Sequence, residues 1–328
     1  MASIALSEHP ISVVIPTTGR PLLLKRALHS VFSQTLPPAE IIVVVDGADP
    51  DTIVALTSIA DPSLSLIEIK DRCGCAEARN IGVRNASGRW IALLDDDDEW
   101  LPDKLMNQVR AASQSNLHFP IVFSRVVVRT PAADFTMPRR APLRSESIAD
   151  YMFRRRSLIP GEVLLLPSSM LIPRALLDEL PFSAGLKKWE DVDWLLRAGI
   201  KPGVGLEFIP QALTIWYCED LRRKTRSDAI DWRYLFDWAT SNRRLFTPKT
   251  YSGVMLISIA QEAAQQRYSG AAWPLLREAI RYGAPDVVQL AWFFLGYLPW
   301  CILPQLARRT FRTLLRKAGM LWSLVVKR

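Results

Sequence analysis

Two rhythms of hydrophobic positions alternate over the first hundred residues. Residues 11–15 form a short β-branched run. Residues 20–34 repeat their apolar positions at helical spacing, with Pro21 where a first turn tolerates it. Residues 41–45 read as a second, buried strand, followed by a turn rich in Asp, Gly and Pro and then a helix through Ala60. Residues 64–69, 76–86 and 90–94 continue the alternation as strand, helix and strand, and another helix starts near Pro102. Such spacing predicts βαβ units, giving an α/β fold with a mostly parallel central sheet and helices on both faces. Ligands of these sheets bind beyond the carboxyl ends of the strands. Residues 16–20, 46–49 and 95–99 each directly follow a strand, so they are where chemistry is expected.

The rhythm loosens after Val128. Residues 130–144 read as a loop, 145–156 as a basic helix, 164–172 as a strand, 190–198 as a short helix and 206–217 as an extended segment. From about residue 230 the chain turns helical and rich in tryptophan. Residues 287–307 carry no charge and are long enough to span a bilayer, but Pro299, Pro304, Gln289 and Gln305 interrupt them. They read as a broken, shallow or re-entrant element leading into a basic amphipathic helix at 308–326.

Charge sharpens this picture. The formal net charge is +8, and residues 308–328 hold seven Lys and Arg with no acid, so outside this tail the chain is nearly balanced. Cationic positions mixed with Phe311, Leu314, Leu315, Met320, Leu321 and Trp322 suit an anionic membrane surface, reached through residues 287–328, better than nucleic acid. No nucleic-acid module is recognisable. The four cysteines, at 73, 75, 218 and 301, are too scattered for a disulfide framework or a zinc site, and fit a reducing compartment. No basic stretch followed by an apolar one opens the chain, so no cleaved signal is expected.

Asp95, Asp96, Asp97, Asp98 and Glu99 follow an apolar strand without interruption. Adjacent carboxylates repel one another, and burial raises that cost unless a cation compensates. One or two acids would suffice to decorate the N-terminus of the next helix. Five suggest hard oxygen ligands for Mg²⁺ or Mn²⁺, which in turn binds a diphosphate.

The stretch LLDDDDEWLPDKL at 93–105 resembles the strand, DxD motif and helix of the family 2 glycosyltransferases of GT-A fold. Four further segments resemble that family in order: ISVVIPTTGRP at 11–21, EIIVVVDGADPDT at 40–52, GCAEARNIGVRNASGRWIALL at 74–94 and WEDVDWLLRAG at 189–199. The resemblance implies a GT-A catalytic domain at 1–245, with a nucleotide-binding half at 11–128 and an acceptor half at 129–245, before a helical region at 246–328. It implies that Thr17 and Asp46 contact the nucleotide of a UDP- or GDP-linked sugar, although Val45 stands where many members have another Asp. Asp97, with Asp95, would hold the metal, and Asp96 would lie near the ribose or sugar. The run of acids leaves that register open. Arg79 and Asn80 match the family's Ala-Arg-Asn signature, with Arg79 assigned to the donor site.

Asp191, with Glu190 beside it, matches the family's catalytic base. Inversion needs a carboxylate to take the acceptor hydroxyl's proton and charge neutralisation at the departing diphosphate. A QxxRW motif is absent, which predicts addition of one sugar to a glycan or lipid-linked acceptor. The expected location is the cytoplasmic side of the cell membrane, peripherally bound. Arg222, Arg223, Lys224 and Arg226 suggest a basic loop at 218–228 that closes on the diphosphate, or is simply solvated. Two other readings stay open. One is a nucleotidyltransferase, disfavoured because residues 16–20 contain only Gly19; the other is a non-catalytic nucleotide-sugar-binding module.

Overall fold

A computed structural model describes residues 10–57, 59–218, 231–266 and 268–297 of the chain. The strands are β1 (Ile11–Thr17), β2 (Glu40–Asp46), β3 (Leu64–Ile69), β4 (Trp90–Leu93), β5 (Glu99–Trp100), β6 (Phe119–Arg129), β7 (Asp134–Met137), β8 (Met170–Pro173) and β9 (Val204–Tyr217). The helices are α1 (Pro21–Phe32), α2 (Pro50–Thr57), α3 (Cys75–Asn85), α4 (Lys104–Gln114), α5 (Ile148–Phe153) and α6 (Arg174–Glu179). They continue with α7 (Glu190–Gly199), α8 (Trp232–Ser241), α9 (Pro248–Gly253), α10 (Ala260–Gln265), α11 (Ala272–Tyr282) and α12 (Val287–Ala291). The chain divides into two compact units: Met1–Ala141 with Leu165–Asp220, and Pro142–Leu164 with Leu221–Arg328.

Among the described residues, all nine strands belong to the first unit and form one sheet, in the order β3-β2-β1-β4-β8-β6-β9-β5, with β7 paired to β6. β3, β2, β1 and β4 run parallel, as the alternating sequence pattern predicts. Beyond β4 the sheet is mixed: β8 is antiparallel to both β4 and β6, while β6 and β9 are parallel. This corrects the expectation of a mostly parallel sheet. Two local features also depart from the expected elements. Pro167 opens a 3₁₀ turn, so the strand expected at 164–172 shrinks to β8. Within the expected loop at 130–144, residues Asp134–Met137 pair with Val126–Arg129 as a hairpin edge.

Alternation along β1 and β2 assigns each residue to one of two buried faces. Val13, Ile15, Val43 and Val45 join one core with Leu24, Leu28 and Val31 of α1 and Leu105 and Val109 of α4. The opposite face is covered by α3, where a Cβ on Gly82 would lie 2.3 Å from a methyl of Val14. Only glycine lets this helix approach so closely. Because β1, β2 and β4 run parallel, their carboxyl ends lie along one edge of the sheet.

In the second unit, helices surround the π-helical turn Val254–Ile259, in which all but Ser258 are buried. Gln289 is wholly buried and ties α12 to α9 by donating from Nε2 to the Lys249 carbonyl at 2.8 Å. The apolar stretch expected at 287–307 begins with α12 and a π-helical turn, Trp292–Tyr297. Its remainder, the helix expected at 308–326 and most of the basic loop at 218–228 lie outside the described residues. Among the described residues no helix is long and apolar enough to cross a membrane.

Candidate active site

The first turn beyond β1 meets the acidic loop beyond β4. Thr17 Oγ1 donates to Asp96 Oδ2 at 2.6 Å. Arg20 grips the same carboxylate with both arms of its fork, Nη2 to Oδ1 at 2.6 Å and Nε to Oδ2 at 3.0 Å, and its Nη1 reaches Asp97 Oδ2 at 3.0 Å. Asp96 is wholly buried. Burial lifts its carboxyl to about 7 against the opposing pull of Arg20. Arg26 completes the cradle, donating to the Asp97 carbonyl at 2.6 Å and pairing with Glu99 at 2.8 Å. Sequence reading had not assigned Arg20 or Arg26. The available signal was charge balance, since five acids at a strand end require cations from other segments.

Asp46 closes β2 and faces the loop that follows β3. Its two oxygens accept the backbone N–H groups of Cys73 at 2.7 Å and Gly74 at 3.0 Å. Gly47 has φ 101°, and a Cβ there would stand 2.7 Å from Arg72 Cγ, so glycine is needed for both conformation and space. Asp49 accepts from Gly19 N–H at 2.6 Å and thereby links the loops after β1 and β2. Cys73 and Cys75 are free thiols. Burial and then Asp46 push the Cys73 thiol up to about 11, away from reactive thiolate character.

Arg79, on α3, joins the acidic loop to the start of α7. It is almost fully buried, donates to Asp95 at 2.7 Å and pairs with Glu190 at 3.5 Å. Asn80 instead clamps the chain at Phe182, donating to its carbonyl and accepting from its N–H, both at 2.9 Å. Trp189 precedes α7 with φ 65°, a left-handed conformation that costs energy for a bulky side chain and turns Glu190 and Asp191 toward Arg79. Burial, then the charge of Glu190, lift the Asp191 carboxyl to about 6, while Arg79 pulls it down. The sequence-predicted residues thus fall in three places, one of them Asp46 against the Cys73 and Gly74 N–H groups. Thr17 and Asp96 meet at one carboxylate, and Arg79 brings Asp95 together with Glu190.

A buried polar layer supports the acidic loop. The N–H of Asp95 donates to Ser168 Oγ at 3.1 Å, and the Ser168 carbonyl accepts from Trp100 Nε1 at 2.7 Å. Replacing Ser168 with Ala strands the Asp95 N–H. The expected loss is about 1–3 kcal/mol, read from urea unfolding.

A family model described as glycosyl transferase family 2 matches residues 12–180. The chain belongs to that family. This family 2 glycosyltransferase is 37% identical over 121 residues to an uncharacterized glycosyltransferase of Rickettsia felis, covering 36% of the chain and 20% of that relative. Over 114 residues it is 29% identical to the Escherichia coli UDP-Glc:alpha-D-GlcNAc-diphosphoundecaprenol beta-1,3-glucosyltransferase WfgD, covering 35% of the chain and 45% of WfgD. Both matches span less than half of the relative. Among solved structures, the Pyrobaculum calidifontis mannosyltransferase PcManGT, in complex with GDP-Man and Mn2+, is similar with a TM-score of 0.57 at 17% identity. That match covers 97% of this chain and 86% of the other, which establishes a shared GT-A-like α/β fold.

The family raises the question of a divalent cation. Among the described residues, no three His, Cys, Asp or Glu side chains converge to hold one unaided. The donor set nonetheless fits. Arg20 already places a positive charge between Asp96 and Asp97, and the carboxylates of Asp95 and Asp97 keep 31% and 19% of their surface in water. Mg²⁺ and Mn²⁺ commonly take one or two protein carboxylates and complete their shell with phosphate and water.

Proposed function

We propose that this family 2 glycosyltransferase transfers a single sugar, with inversion, from a UDP- or GDP-linked donor to a hydroxyl of a glycan or lipid-linked acceptor. WfgD is named for UDP-Glc and a diphosphoundecaprenol-linked acceptor, and PcManGT was solved with GDP-Man, so both nucleotide bases are candidates here. One observation carries the reading: a single buried guanidinium, Arg79, contacts both the acidic loop through Asp95 and the α7 acids through Glu190. That contact supports a common meeting place for donor phosphates and attacking hydroxyl.

In this scheme Thr17 and Asp46 border the nucleotide, and Asp96 lies near the ribose or sugar. Asp97, with Asp95, would hold Mg²⁺ or Mn²⁺, whose charge would neutralise the departing diphosphate. Asp191 takes the acceptor proton as the oxygen attacks the anomeric carbon, and Glu190 keeps the Asp191 carboxyl basic through its charge. Residues 1–245 serve catalysis. Residues 287–328 contact an anionic membrane on its cytoplasmic side, where lipid-linked acceptors are presented.

The test is a screen of UDP- and GDP-sugars, with Mn²⁺, Mg²⁺ or chelator, for release of nucleoside diphosphate. Release from one donor class that depends on metal is expected. A thermal shift with UDP or GDP but no release from any donor would replace catalysis by a binding role.

A further inference from the structure

The basic excess is not confined to the tail. The second unit holds 22 Lys and Arg against 9 Asp and Glu, whereas the first holds 19 against 24. The near balance outside the tail is therefore a cancellation between two oppositely charged units. Among the described residues, nine of the fourteen exposed large hydrophobic side chains belong to the positive unit, with Trp273, Ile280, Val287, Phe294 and Leu295 among them.

These properties combine on α11. Leu275 and Ala279 are wholly buried and define its inner side. Trp273 is 70% exposed and Ile280 61%, and Arg277 and Arg281 are exposed as well. At 100° per residue these four positions fall within about a quarter turn of the helix. Glu278, the helix's one acid, points elsewhere: it accepts from Arg243 Nη2 and from Tyr251 Oη, both at 2.8 Å. The outward face is thus cationic and apolar, with no carboxylate. Val287, 81% exposed, opens the next helix, whose chain continues into the acid-free tail at 308–328.

Complementary charge decides the occupant. A protein interface centred on Trp and Ile would be surrounded by mixed charge, whereas here both flanking charges, and every charge in the tail, are positive. We propose that the outer face of α11, with Trp273 and Ile280 inserted among headgroups and Arg277 and Arg281 against their phosphates, docks on an anionic lipid bilayer with its axis along the surface. This extends the membrane part of the proposed function to a folded element ahead of 287–328, and does not rest on the catalytic assignments. Trp suits the depth where hydrocarbon meets headgroup, and Arg stems reach out of it.

The test uses the full chain and co-sedimentation with vesicles of phosphatidylglycerol and phosphatidylcholine, or phosphatidylcholine alone. Wild type is expected to bind the anionic vesicles preferentially, and less as salt rises. W273E/I280E is expected to reduce partitioning at least roughly tenfold and R277Q/R281Q roughly tenfold. Both pairs are surface positions, so circular dichroism and nucleoside diphosphate release in detergent should match wild type, which separates this result from the catalytic reading. Partitioning of both variants equal to wild type overturns the proposal. So does equal wild-type binding to neutral vesicles, or a wild-type dimer in size-exclusion chromatography that W273E/I280E converts to monomer.

Discussion

Asp191→Asn is expected to lower kcat by roughly 10³-fold, the middle of the range for losing a positioned general base, while the KM for the donor changes little. Asn keeps the shape and the hydrogen bond from Val192 N–H, at 2.8 Å in the native chain, but cannot take a proton. The pH dependence makes the assignment specific. Burial and Glu190 hold the carboxyl at about 6, and a base works only when ionised. Native kcat/KM should therefore reach half its plateau near pH 6 and fall tenfold per unit below it. The small residual activity of D191N should lose that acid limb. Stability responds in the opposite sense. A carboxyl raised from its ordinary value near 4 binds its proton more tightly in the folded than in the unfolded chain. Ionising it costs stability as pH rises from about 4 through about 6, and the full cost is present at pH 7.5. D191N lacks this cost, so its Tm at pH 7.5 should equal or exceed the native value. A large loss of kcat together with a lower Tm and an unchanged acid limb would mean that Asp191 merely holds α7 in place.

The parts of this fold legible in the sequence are those whose signals are local. β1 and β2 announce themselves because nearly every residue faces a core, and the acids after β4 because five carboxylates stand together at the end of an apolar strand. β8 is shorter than the run 164–172 suggests because Pro167, Ser168 and Ser169 break its apolar residues with a 3₁₀ turn. Its antiparallel pairing with β4 is a tertiary choice that no periodicity encodes. The candidate site divides in the same way. Acid-rich stretches reveal themselves in sequence, but the cations opposing them do not. Arg20 stands 76 residues from Asp96, and Arg79 stands 111 from Glu190. An arginine beside a strand looks like any solvated arginine until the chain is folded. Trp189 is the remaining instance: a bulky residue at φ 65° has no sequence signature, yet that turn aims the α7 acids.

Arg20→Gln is expected to destabilise the chain by about 2–4 kcal/mol. Removing one partner of a buried ion pair leaves the other charge uncompensated, at a typical cost of 3–5 kcal/mol. Arg20 keeps a third of its surface in water, which reduces that figure. Asp96 has no exposure at all, and Thr17 alone would remain from its present cradle. The carboxyl responds by keeping its proton to higher pH. Because its folded value, about 7 in the native chain, already lies above the ordinary one, ionisation costs stability as pH rises from about 4 through 7. The deficit of R20Q should accordingly be largest at pH 8 and shrink toward pH 5.5, as read by urea unfolding at both values. Arg20→Lys restores charge but not the two-armed grip, and should recover only part of the loss. A divalent cation competes for the same ground, since Arg20 bridges Asp96 to Asp97. Millimolar Mn²⁺ without nucleotide should therefore stabilise R20Q more than the native chain. Equal stabilisation of both proteins would place the cation away from Asp97, and a pH-independent deficit would show that Arg20 acts on something other than the Asp96 charge.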